Sequence, residues 1–78
     1  MKHTPAKSKM LASHGYENGV MEVRYHNGKT LSHPGVPPEL YQQFTEADSK
    51  GAFFNKAILH AKDQHGSKLY PGKAVEGQ

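Results

Sequence analysis

The sequence predicts an α+β fold, a three-stranded antiparallel meander packed against two short C-terminal helices. Three observations carry that expectation. Asn18-Gly19 and Asn27-Gly28 mark two tight hairpin turns, since this dipeptide most readily takes positive φ at both centres of a type I′ turn. Between them, "MEVRYH" alternates apolar with polar residues. After "HPGVPP" the apolar period lengthens from two to between three and four, which is the change from sheet to helix.

The first strand is expected over Met10 to Tyr16, with a weak alternation. The middle strand is clearer: Met21, Val23 and Tyr25 project to one face and Glu22, Arg24 and His26 to the other. Lys29 to His33 completes the meander. Pro38 suits a first helical turn, where its missing amide hydrogen costs nothing, and Leu40, Tyr41, Phe44 and Ala47 form one stripe. The first helix is therefore placed from Pro38 to Ala47. In the second, Phe53, Phe54, Ala57, Ile58 and Ala61 form the buried face, with Lys50, Lys56 and His60 opposite. Phe53 and Phe54 project about 100° apart on a helix, so one belongs to the core and the other to a seam. Partial exposure of either would instead point to a protein partner. The expected core is Leu11, Met21, Val23, Tyr25, Leu40, Phe44, Phe54 and Ile58.

Residues 1–8 and 63–78, rich in Lys, Gly, Pro, Ser and Gln, are expected to be flexible ends around one domain at 9–62. Leu69-Tyr70-Pro71 is where the tail would dock back. With 78 residues, 35% of them apolar, the core is small and stability modest, and a homodimer would help.

Composition also bounds function. The chain has no cysteine, which excludes disulfides, thiolate catalysis and thiolate metal sites. No apolar run is long enough to cross a bilayer, and "MKHTPAKSK" lacks the apolar stretch of a signal peptide. A cytoplasmic protein without a membrane role is expected. The net charge of +3 permits attraction to polyanions but falls short of a dedicated nucleic-acid binder. Six histidines invite a metal, yet no His-x-x-x-His pair shares a helix face, and no metal or cofactor is expected. Ser13, Ser32, Ser49 and Ser67 lack a nucleophile-elbow context or a base placed by a motif, so no catalytic residues are assigned.

The segment "EADSKGAFFNKAI" remains. Ser49 stands where an N-cap belongs, and Gly51, a poor helix former, admits close approach by another group. The same start is a cradle for an anion or simply a capped helix. Lys50, Asn55 and Lys56 gather only if the helix start and the sheet edge converge.

The chain resembles the KTSC domain, a module named for its occurrence at the C-terminus of some lysyl-tRNA synthetases. Gly15-Tyr16, "MEVRY", Val36-Pro37-Pro38 with Tyr41, and Ser49-Lys50-Gly51 before Phe53-Phe54-Asn55-Lys56 carry the resemblance, which spans about Leu11 to Ala61. Three positions depart from the family's pattern. Its paired third-strand tyrosines fall on Leu31 and His33, an apolar first-strand position is His14, and the first hairpin loop is shorter. The missing tyrosines weaken any platform for stacking bases. The resemblance implies a binding module, for which RNA has been proposed as ligand. Two readings result: binding of RNA or another phosphate-bearing ligand through Arg24, Lys29, Ser49, Lys50, Gly51, Asn55 and Lys56, or binding of a host protein by a phage- or mobile-element-encoded modulator.

Overall fold

The structure is a computed structural model that describes residues 2–75. One antiparallel sheet contains β1 (Thr4–Pro5), β2 (Leu11–Glu17), β3 (Val20–Tyr25), β4 (Thr30–Pro34) and β5 (Lys73–Ala74), neighbours in chain order. After β4 come α1 (Pro38–Glu46) and α2 (Lys50–Phe54), and α2 runs directly into a π-helical turn at Asn55–Leu59. The α+β class is as expected, but the meander has five strands rather than three. The two extra strands come from the ends: Thr4 and Pro5 pair with His14 and Ser13, and Lys73 and Ala74 with Ser32 and Leu31. A sheet edge offers unpaired N–H and C=O groups to any extended segment, so such pairing needs no apolar pattern that a sequence would display.

Only one of the Asn-Gly turns is type I′. Asn18 (φ 51°) and Gly19 (φ 78°) both take positive φ and join Glu17 to its partner Val20. At the second turn only Gly28 does so (φ 91°). There the Gly28 amide donates to the Tyr25 carbonyl at 3.0 Å and the Tyr25 amide to the Lys29 carbonyl at 2.8 Å, which closes a three-residue loop. The Asn27 side chain accepts from the Lys29 amide and holds the loop in this form.

The weak alternation of β2 also has a cause. The register shifts between Leu11 and Ser13, so Leu11 opposite Tyr25 and His14 opposite Val23 face the same side despite their three-residue spacing. That side meets the helices. Leu11, Met21, Val23, Val36, Phe44, Phe54 and Ile58 are buried there in one cluster. Tyr25 and Leu40, expected inside it, are half-buried at its margin, and Val36 joins it because α1 follows two residues later. Tyr16 clamps that corner: its hydroxyl donates to the Val36 carbonyl at 2.6 Å while its ring stacks on Tyr41 at 4.7 Å.

Candidate functional site

The start of α2 meets the segment that leads into β2. Ser49 is the N-cap and accepts from the Ala52 amide, at a long 3.4 Å. Gly51 is buried, and a Cβ there would lie 3.2 Å from the Met10 Cβ and 3.3 Å from the Ser8 hydroxyl. The close approach that glycine permits is thus made by this chain's own N-terminal arm. Ser8 is itself fixed, accepting from the amides of Met10 and Leu11 at 3.1 and 3.3 Å, and the Asn55 amide group donates to the Met10 sulfur at 3.6 Å.

An open cleft lies where arm and helix cross. Lys7, Lys9 and Lys50 line it with Ser8, Ser49, Gly51 and Asn55, and Asp48 is the one acidic residue in its wall. A second depression, between the arm and α1, shares Lys7 and Lys50 and has His14 and Tyr41 in its lining. The sequence-predicted residues therefore divide. Ser49, Lys50, Gly51 and Asn55 come together, whereas Lys56 is exposed on the π-helical turn and lines neither depression. Lys29 lies in the β3–β4 loop beside β5, and Arg24 on the opposite face of the sheet donates to the Thr30 hydroxyl at 3.1 Å. Lys7 and Lys9 were missed as site residues, although the basic run that holds them was legible. What brings it to the cleft is the β1–β2 pairing.

Two histidines are buried behind these surfaces. His14 shares a 2.7 Å hydrogen bond with the Tyr41 hydroxyl and meets Phe44 edge-on at 5.0 Å. Burial, then the positive charge of Lys50 and the proximity of His3, push its pKa down. His33 is fully buried against Phe54, and its Nδ1 lies 2.9 Å from the Tyr70 carbonyl. Burial dominates again and lowers its pKa, the bond to Tyr70 opposes it, and the charge of Lys68 adds to the lowering. Because Leu31 and His33 sit opposite Val23 and Met21, they face the helices. A stacking platform at these positions would be covered.

On the other face, His3 bridges Ser13 (2.8 Å) and Glu22 (2.5 Å). Serine, imidazole and carboxylate in sequence are the parts of a nucleophilic relay, and the sequence spacing concealed them. None of the three residues lines the clefts described above. The contact ties the N-terminal arm to the sheet. Among the described residues, no three His, Asp or Glu side chains converge to hold a metal ion, and no helix is long and apolar enough to cross a membrane.

Comparison with known proteins agrees with this architecture. The family model for the KTSC domain matches residues 7–61. An uncharacterized protein of Stutzerimonas stutzeri is 39% identical over 67 residues, which cover 83% of this chain and 90% of that one. The crystal structure of a KTSC domain protein from Yersinia pestis superposes with a TM-score of 0.76 at 28% identity, covering 95% of this chain and 96% of the other.

Proposed function

The chain belongs to the KTSC domain family, and on that premise we propose that it is a small, non-catalytic cytoplasmic module that binds single-stranded RNA through its phosphates. The observation that carries this reading is the convergence of Lys7, Lys9 and Lys50 on one open cleft, with the hydroxyls of Ser8 and Ser49 beside them and a single carboxylate, Asp48. Lysine ammonium groups read phosphate without regard to base, and the hydroxyls supply short-range donors. Base stacking plays no part, because the sheet face that would provide it lies under the helices. The host-protein reading is weaker on one count. Phe53 keeps the partial exposure that a protein partner would use, but it packs against Phe44, Phe54 is buried, and Leu69 is the exposed large apolar side chain among the described residues.

Fluorescence anisotropy with a labelled single-stranded RNA tests the proposal. Contact with about three phosphates gives a slope of log affinity against log salt near −2. Lys50→Glu should weaken binding to every sequence alike. A flat titration at low salt would reject the reading, and so would an unchanged affinity in the Lys50→Glu protein.

A further inference from the structure

The C-terminal segment from Lys68 to Val75 crosses the edge of β4, and a short set of backbone bonds holds it there. The Leu69 amide donates to the Ala61 carbonyl at 2.9 Å, Lys73 and Ala74 pair with Ser32 and Leu31, and the Val75 amide donates to the Thr30 carbonyl at 2.9 Å. Lys68, Leu69 and Pro71 to Ala74 are exposed, and the apolar anchor of the segment is Tyr70, half-buried against the core. Between them lies His33. A Cβ on Gly72 would fall 2.6 Å from the His33 Cε1, so the chain passes directly over the ring.

The ring's protonation state follows from its partner. A carbonyl can only accept, so the His33 Nδ1 carries the proton that reaches Tyr70, and in the neutral ring Nε2 is the bare nitrogen. That Nε2 is sealed from solvent and has no hydrogen-bond partner among the described residues. A second proton there would create a buried charge and an unsatisfied donor together. Packed against the ring are Phe54 from α2 and, opposite on β3, Met21, neither of which titrates. Lys68 on the crossing segment adds a positive charge nearby, and among the described residues no carboxylate offsets it. Relief comes most readily by lifting the segment, which admits water to Nε2.

We propose that residues 68–75 form an acid-released strap over the β4 edge, with His33 as the latch. With a proton on His33 the strap opens and bares the backbone edge at Thr30, Leu31 and Ser32, while the three-stranded centre of the sheet stays folded.

Steady-state ¹⁵N heteronuclear NOE values, read from about pH 7.5 downward until the sheet itself unfolds, test this. In the native chain the amides of Leu69, Gly72, Ala74 and Val75 should become mobile on acidification, with the midpoint of the His33 ring titration, while Met21 and Val23 stay rigid. His33→Asn keeps an N–H donor for the Tyr70 carbonyl without a titrating ring, and should abolish the acid response of the strap. Gly72→Ala, whose methyl cannot fit above the ring, should free the strap even at pH 7.5 without unfolding the sheet. A strap that stays ordered in the native chain until Met21 and Val23 also lose their rigidity would overturn the proposal. So would an acid response that persists in His33→Asn, or a Gly72→Ala strap that remains ordered.

Discussion

Gly51→Ala sets two effects of known size against each other at the site where arm and helix cross. Alanine in a helix is better than glycine by about 1 kcal/mol, and Gly51 has no positive φ that would strain the new side chain. Propensity alone would make the variant more stable. Against this, the methyl would sit 3.2 Å from the Met10 Cβ and 3.3 Å from the Ser8 hydroxyl, both too close for ordinary contact. Neither neighbour is the loose end of a side chain. The Met10 Cβ moves only with its backbone, and the Ser8 hydroxyl is held by two backbone amides. Overpacking of this kind costs about 1–3 kcal/mol, so the net expectation is a loss of about 1 kcal/mol. Urea unfolding at neutral pH reads it directly, with amide shifts at Ser8 to Leu11 as the local signature. An equal or higher unfolding midpoint with unchanged slope would refute the argument, because it would mean that the arm yields freely and that Gly51 is not there to admit it.

Two further outcomes follow from the core. Phe54→Ala should cost about 3–5 kcal/mol, a large part of the roughly 4–12 kcal/mol available to a 78-residue domain; a melting curve like that of the native chain would remove Phe54 from the centre of the core. Stability should also fall with acidification, since His14 and His33 both have folded-state pKa values below the unfolded value of about 6.5. The unfolded chain then binds more protons, so the stabilisation is full above about pH 6.5 and is lost as pH drops toward the folded values. Equal urea midpoints at pH 7.5 and pH 5 would contradict that sign.

Much of the fold was legible because it rests on local chemistry. Asn18-Gly19 forms the type I′ turn its residues favour, Met21 and Val23 alternate into the core, and α1 begins at Pro38. Ser49 caps α2, and Phe54 is buried while Phe53 fills a seam. Each of these depends on neighbours a few residues away. The three-residue loop at Asn27-Gly28 differs because the same dipeptide satisfies two loop lengths, and the cross-strand bonds of Tyr25 and Lys29 select one.

Tertiary structure alone decided what the ends and the histidines do. Edge pairing uses backbone groups that every residue carries, so neither "TP" nor "KA" announced a strand. The pairing of the N-terminal arm sets Lys7 and Lys9 beside Lys50, and that of the C-terminal segment lays Gly72 on His33. His14 and His33 occupy positions that sequence alone reads as strand histidines without an environment. Burial gives them one, since a ring nitrogen placed out of reach of water must find a partner or remain without its second proton. The sequence thus specified the sheet, its helices and their caps through short-range preferences, while the cleft and the strap arise from contacts between segments about 40 residues apart, Met10 with Gly51 and His33 with Gly72, whose register no local pattern encodes.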